Sequence, residues 1–256
     1  MSKILKVANV SKKYQSKKGE ILAVKDISFD VESGEFVSII GPSGCGKSTI
    51  LSIIAGLEEK NTGEIYIENE EINNVSPQIG YMLQKDCLLE WRTVFSNTLF
   101  GLEIKGIKNK ENIEYVEELL KKYNLEDFRE KYPSELSGGM RQRVALIRTL
   151  AVKPKVLLLD EAFSALDYQT RIMVTNDIYS ILKKEKITTI MVTHDISESI
   201  SMSDRIIVLS KRPGTIKSIH NIDFEIKNKT PLNCRESPKF SMYFNSLWKE
   251  LGAHEK

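Results

Sequence analysis

Apolar positions along the chain follow two rhythms. Residues 21–31, ILAVKDISFDV, end in an alternation that puts Ile27, Phe29 and Val31 on one face, the pattern of a half-buried antiparallel strand. Residues 35–40, EFVSII, form a nearly continuous β-branched run, expected of a strand covered on both faces. Runs at 64–68, 79–83, 155–160, 188–193 and 205–210 predict further strands. Helical periodicity interleaves with them. Over 112–123, Val116, Leu119, Leu120 and Tyr123 share a stripe. Residues 138–152 predict a helix that starts after Ser137 as N-cap and stops before Pro154, and Asp167 caps another running to about Lys184. Near the end, Ser237 and Pro238 open a helix whose apolar stripe is Phe240, Tyr243, Phe244, Leu247, Trp248 and Leu251, expected to pack against its own domain. The order is antiparallel strands, a strand–loop–helix unit, a mostly helical insert at about 86–153, then further β/α units. It predicts an α/β fold with a helical subdomain.

Composition narrows the function. A chain of 256 residues can bury a sizeable core. A net charge of +2 gives no basis for a polyanionic partner, so no nucleic acid is expected. No apolar run approaches the ~20 residues that span a bilayer. The opening MSKILKVANV is too short and too charged for a secretory signal. Cys45, Cys87 and Cys234 are odd in number and far apart, which suggests neither a disulfide framework nor a zinc site and fits a reducing cytosol.

The chemistry concentrates in four short stretches. Residues 41–49, GPSGCGKST, match the G-x-x-x-x-G-K-[ST] phosphate-binding loop between a buried strand and a helix. Gly41, Gly44 and Gly46 let the backbone wrap a phosphate; Pro42, Ser43 and Cys45 complete the loop. Lys47 is expected to reach the β- and γ-phosphates, and Ser48, followed by Thr49, to offer a hydroxyl to Mg²⁺. A helix start and Lys47 beside Cys45 favour its thiolate. The run VLLLDE ends a strand with Asp160, suited to hold Mg²⁺ through water, and Glu161, suited to polarise a water for attack on the γ-phosphate. His194 ends another apolar strand and is expected to contact the γ-phosphate. Finally, residues 135–143, ELSGGMRQR, open a helix with a hydroxyl, two glycines and two arginines, a second anion-type loop.

With these residues in hand, the chain resembles the ATPase subunit of an ABC transporter over nearly its whole length. ELSGGMRQR resembles that family's signature loop, with Ser137, Gly138 and Gly139 in the matching positions. Tyr14 in SKKYQ resembles the aromatic that stacks on adenine, and Gln84 in YMLQKD the Q-loop glutamine that contacts Mg²⁺ and the attacking water. SALD at 164–167 resembles the D-loop, and His194 the switch histidine; Ala162 stands where proline is usual in many importers. The resemblance implies a RecA-like P-loop NTPase core with an antiparallel β subdomain and a helical subdomain. It implies one ABC ATPase domain over 1–256: a nucleotide-binding core at about 1–85 and 154–225, a signature subdomain at about 86–153 and a C-terminal extension at about 226–256. The implied cofactors are ATP and Mg²⁺, and the implied reaction is ATP hydrolysis to ADP and phosphate. Two copies are expected to pair head to tail, so that each signature loop caps the ATP held by its partner. One chain would then carry half of each of two sites, which accounts for its two loops.

LLEWRTVFSN, residues 88–97, resembles the LLPW-x-T-V-x-x-N stretch of the nitrate/sulfonate/taurine importer branch, with Glu90 in place of proline. KRPGTI at 211–216 and the tail near YFNSLW resemble the same branch. The resemblance puts Leu88, Leu89, Trp91, Val94 and Phe95 in the region receiving a coupling helix from the membrane subunit. It implies uptake of a small solute, of the nitrate, sulfonate, taurine or vitamin-precursor class, through separate permease subunits fed by a substrate-binding protein. The chain would work at the cytoplasmic face of the membrane, with no room for the regulatory domain of some sugar and methionine importers. The alternatives are an exporter ATPase, a non-transport ABC protein and a P-loop kinase. The second is expected to show a coiled coil, tandem cassettes or a basic stripe, and the third needs no signature loop.

Overall fold

The computed structural model describes residues 3–16 and 19–252, so the extremes of the expected 1–256 range lie outside the described residues. Two sheets form the frame. In the first, β1 (Lys3–Ser16) lies between β2 (Gly19–Glu32) and β4 (Thr62–Ile67), with the short β5 (Glu70–Glu71) at the edge; all pairings are antiparallel. In the second, the order is β10-β9-β3-β8-β7-β6: Ile216–Asn221, Arg205–Leu209, Phe36–Ile40, Thr188–Val192, Val156–Asp160 and Ile79–Met82. Only β10 runs antiparallel to its neighbour. Strands β3 and β8 are buried at every position, as their unbroken apolar runs require.

Two strands escape the alternation rule for identifiable reasons. Strand β1 changes register four times against β2, between Lys3 and Leu5, Val7 and Val10, Val10 and Lys12, and Lys12 and Lys13. Each irregularity shifts the inward side chains out of phase, so no single period runs through the segment. Tyr14 lies on this strand, opposite Ile21. Strand β10 is an edge strand with only Ile216 and Ile219 as apolar residues.

The helices are α1 (Lys47–Ile54), α2 (Val94–Ile104), α3 (Lys110–Lys122), α4 (Gly138–Leu150), α5 (Tyr168–Lys184), α6 (Ile196–Met202), α7 (Pro231–Glu236) and α8 (Pro238–Gly252). Ser137 caps α4 and Asp167 caps α5, accepting from the Met140 and Thr170 N–H groups as the sequence predicts. Between the two sheets and α1, a core forms from Leu5, Ile27, Ile39, Leu51 and Ile65. A second core joins the other face of the parallel sheet to α2–α5 through Leu102, Leu120, Leu146, Leu159 and Ile178. A third lies under the tail. Leu247 is 1% exposed, and Phe240, Tyr243, Phe244 and Leu251 pack around it against Ile200 and Ile206. Burying one such leucine contributes about 1.5–3 kcal/mol. Trp248 departs from the expected stripe: it is 62% exposed and stacks on Phe244 at a centroid distance of 6.0 Å. Met242, 71% exposed, likewise lies off the packed face of this helix. All three cysteines are free, and no helix among the described residues is long and apolar enough to cross a membrane.

Candidate nucleotide site

The carboxyl ends of β3, β8 and β7 converge on one groove. β3 runs straight into the loop 41–46, and α1 begins at Lys47. Gly46 makes this turn possible: its φ is 99°, and a Cβ there would lie 2.4 Å from Val24 Cγ1, so both the conformation and the contact demand glycine. No side chain caps α1, so the N–H groups of its first turn remain available to a ligand. Lys47 is 7% exposed, and its Nζ donates to the carbonyls of Gly41 at 2.9 Å and Pro42 at 3.1 Å. The ammonium is thus held over the loop by weak acceptors that a phosphate oxygen can outcompete.

Across the groove, the Ser48 hydroxyl donates to Asp160 Oδ1 at 2.9 Å, joining the P-loop helix to the end of β7. Tyr81 donates to the other oxygen of Asp160 at 3.1 Å, and burial followed by the Asp160 charge pushes its phenol up to about 12. Glu161 has a φ of 47°, unusual for a side chain with a Cβ. Its N–H donates to Val192 O at 2.9 Å, and its carbonyl accepts from Ser164 N at 3.1 Å and Ser164 Oγ at 2.9 Å. Those bonds hold a strained backbone that aims the carboxylate into the groove. His194 follows β8, and its Nδ1 is 3.3 Å from Glu161 Oε2. Gln84, just past β6, donates to Ser164 Oγ at 3.1 Å. The resulting cavity has a volume of about 290 Å³. Its walls include Tyr14, Ser43, Gly44, Gly46, Lys47, Ser48, Thr49 and Glu161, with Arg212 at one side. A larger cavity, about 620 Å³, lies at the amino end of β3, and its lining includes the ion pairs Lys183–Asp204 and Arg205–Glu35.

The family model described as "ABC transporter" matches residues 24–164, more than half of the chain. The chain belongs to the ABC transporter family. It is the family's ATP-binding cassette, an ATPase, and it has the P-loop NTPase fold. It is 48% identical over 252 residues to the uncharacterized ABC transporter ATP-binding protein YtlC of Bacillus subtilis, covering 98% of this chain and 97% of that one. It is 37% identical to the nitrate import ATP-binding protein NrtD of Synechocystis (98% and 96% covered). It is 42% identical to the aliphatic sulfonates import ATP-binding protein SsuB of Bacillus cereus (88% and 86% covered). These relatives set it in the nitrate/sulfonate branch. Among solved structures, it is similar to a dimeric ATP-binding cassette in a post-hydrolysis state bound to ADP and Pi. The TM-score is 0.72 and the identity 33%, over 86% of this chain and 99% of that one.

The cassette's second loop is built differently from its P-loop. Ser137 and Gly138 are exposed, whereas Gly139 is buried. A Cβ on Gly139 would come within 2.8 Å of Val174 Cγ2 and 3.3 Å of Thr170 Cγ2, so this glycine lets α4 close on α5. None of the three lines the P-loop cavity. The signature helix is instead tied to the segment after Gln84. Arg141 donates to both oxygens of Asp86, at 2.8 and 3.0 Å, and to Glu90 Oε1 at 2.7 Å. Arg148 donates to the carbonyls of Asp86 and Cys87, each at 2.6 Å. Glu90, which replaces proline relative to the branch pattern, thus has a partner. Burial alone would raise the Asp86 carboxyl, but the Arg141 bonds, the Leu88 N–H and both arginine charges outweigh it and hold it below its ordinary range. In the neighbouring stretch Leu88 and Val94 join the core, Leu89 and Phe95 are half-buried, and Trp91 is 75% exposed.

One sequence expectation fails. Cys45 is 1% exposed and packs into the core beneath the P-loop, its Sγ close to where a Gly41 Cβ would stand. Burial pushes its thiol above the ordinary range, outweighing the Lys47 charge and the backbone N–H groups of Lys47 and Cys45. A nearby cation leaves a thiol with a lowered pKa only where the cost of burying the thiolate is smaller than the attraction, and at Cys45 it is larger. Sequence reasoning also left Tyr81, Asp86 and Arg212 without roles, and it took Arg141 as a cation of the anion-type loop, whereas that guanidinium is engaged by Asp86 and Glu90. For Arg141 a signal existed, since an arginine one turn into the signature helix invites an acidic partner.

Proposed function

We propose that this chain is the ATP-hydrolysing subunit of an importer for a small solute, acting as a head-to-tail pair of copies on separate membrane permease subunits. The observation that carries the reading is the separation of the two loops. The P-loop groove is lined by Lys47, Ser48 and Glu161, with Asp160 bonded to Ser48 and His194 beside Glu161, while Ser137 and Gly138 are exposed and line no part of it. A second copy can bring those two residues and the start of α4 against a γ-phosphate exposed in the first. ATP then joins the copies, and its hydrolysis weakens the joint.

Within each site, Glu161 accepts the proton of the attacking water, His194 faces the γ-phosphate and Gln84 orients the water from the Ser164 side. Tyr14 supports the adenine. The residues present fit Mg²⁺: a hydroxyl, one carboxylate and the Gln84 amide oxygen are hard donors too few to cage an ion, so a bound nucleotide and water would have to supply the remaining donors. Ser48 would hold it directly and Asp160 through water, and the ion would neutralise charge between the β- and γ-phosphates. Residues of about 1–85 and 154–225 serve as the nucleotide-binding body, about 86–153 as the signature body, and about 226–256 as an extension docked on the first. The nitrate and sulfonate relatives support a cargo of that anionic class, with vitamin precursors as the other candidates, delivered by a binding protein to permeases at the cytoplasmic face.

Phosphate release measured against protein concentration tests the pairing. The rate should rise with the square of concentration while monomers predominate, with water as the only acceptor. A strictly first-order rate from a species that light scattering shows to be monomeric would overturn it.

A further inference from the structure

We propose that Arg212 is a nucleotide-binding side chain, its guanidinium holding the base-proximal end, ribose and α-phosphate, that ATP and ADP share. This rests on the reading that the P-loop groove binds ATP. Arg212 lines that groove together with Tyr14, Ile21 and Ala23. It sits on the loop after β9, and β9 flanks β3 on the side opposite β8 and β7. Asp160, Glu161 and His194 therefore lie on one side of the P-loop strand, and Arg212 with the β2 wall on the other. A triphosphate whose terminal phosphate meets Glu161 and His194 directs its nucleoside toward Tyr14 and Arg212.

The loop bearing Arg212 is fixed in place. Gly214 N–H donates to Ala23 O and its carbonyl accepts from Lys25 N–H, both at 2.9 Å. Its backbone presses on the P-loop so closely that a Cβ would fall 2.1 Å from Cys45 O. The Ser210 hydroxyl accepts from Thr215 N–H at 3.0 Å and closes the turn. Such anchoring seats one loop against both the P-loop and the adenine-side strand, and it delivers the Arg212 side chain to the groove. Within the described residues the guanidinium makes no hydrogen bond or ion pair. A charged fork left unpaired, on a rigid loop, in a groove already carrying Lys47 and a helix N-terminus, is arranged for an anion.

The test compares Arg212→Ala, Arg212→Lys and Arg212→Glu in the full chain. Wild-type MgATP binding, measured first by displacement of a fluorescent ATP analogue, checks the underlying reading; no binding there would fault the site rather than Arg212. The expected result is a loss of about 10- to 150-fold in affinity for ATP and for ADP alike, the range for one charge-assisted contact. KM rises by the same factor, kcat at saturation stays within twofold, lysine restores part of the loss and glutamate deepens it. Lys186→Ala removes a charge at the amino end of β3 and should leave both affinities unchanged, which separates a contact from a net-charge effect. Unaltered ATP and ADP affinities in Arg212→Ala, with an unchanged thermal midpoint showing that the variant folds, would overturn the proposal. So would a loss confined to ATP or to kcat.

Discussion

His194 Nδ1 lies 3.3 Å from Glu161 Oε2, so the residues that end β8 and β7 meet over the P-loop. The contact is reinforced through the backbone, where Glu161 N–H donates to Val192 O two residues before the histidine. Any shift of the β8 end is felt at the carboxylate. Glu161→Gln keeps the size and shape of the side chain but replaces one acceptor oxygen by an amide donor and removes its basicity. Hydrolysis should fall by about 10²- to 10⁴-fold, the usual contribution of a positioned base. ATP affinity should persist, and size-exclusion chromatography should show a dimer with ATP and a monomer without it. Near wild-type turnover would take the base role away from Glu161.

The cysteines should label in an order set by burial. Cys87 is exposed, whereas Cys45 and Cys234 are buried, and burial raises both of their thiols. A maleimide in short exposure should therefore modify Cys87 alone, as peptide mass spectrometry would show, with the other two reacting only in denaturant. ATPase activity in Cys87→Ser should resist the reagent. Rapid labelling of Cys45 in the native protein, blocked by Mg-ATP, would restore the reactive-thiolate expectation.

Much of this architecture was legible because local signals agreed. The run of β3 read as a strand covered on both faces and those of β7 and β8 as strands, and the caps Ser137 and Asp167 stand where the sequence puts them. The illegible parts depend on tertiary context. The register breaks of β1 erase its alternation, and Cys45 looks activated until its depth in the core is known. Arg212 is more than a hundred residues from the P-loop in sequence, and only the pressing of Gly214 on Cys45 brings it to the groove. Asp86 and Arg141 illustrate the same limit, since no periodicity links residues 55 positions apart.

That pair carries a mechanical expectation. Arg141 and Asp86 are 23% and 19% exposed, and the two parallel bonds between them fix the signature helix to the segment after Gln84. Arg141→Ala should lower stability by about 1–3 kcal/mol in urea unfolding. It should reduce ATPase activity more than ATP binding, because the P-loop is untouched. A double-mutant cycle with Asp86→Ala should give a coupling of about 0.5–3 kcal/mol, and additive losses would refute the link.

Glu198 supplies a pH signature. It is 4% exposed, and burial pushes its carboxyl from the ordinary 4.5 up to about 7; Asp195 adds to the rise, while the Thr193 hydroxyl, Arg171 and Arg235 oppose it. The folded protein therefore keeps a proton that the unfolded chain loses between about pH 4.5 and 7. Within that window stability falls as pH rises, by up to about 1.4 kcal/mol per unit, reaching a deficit of about 3 kcal/mol above it. Glu198→Gln cannot ionise. It should gain stability over wild type progressively from pH 5 to 8 in urea midpoints, and a pH-independent difference would show that Glu198 is not the titrating group.

The pairing of copies can be decided by complementation. A Ser137→Arg subunit keeps its own P-loop but places a long cation where the partner's γ-phosphate must be capped. A Lys47→Ala subunit keeps its cap but loses the ammonium that Gly41 and Pro42 now hold over the loop. If the signature loop acts in trans, a heterodimer of the two carries both defects in one composite site and neither in the other. Each variant alone should be almost inactive, and the mixture should regain ATPase activity, up to about half of wild type if the two sites fire independently and heterodimers dominate. Action in cis would leave both sites of the heterodimer broken. Heterodimers confirmed by differential tags yet inactive would thus argue for cis action, unless the two sites must fire together. Cysteines placed at Ser43 and Ser137 separate those cases: both positions are exposed, and a disulfide between chains, promoted by ATP and absent without it, requires the head-to-tail arrangement whatever the coupling of the sites. Cross-links only within one chain would rule that arrangement out.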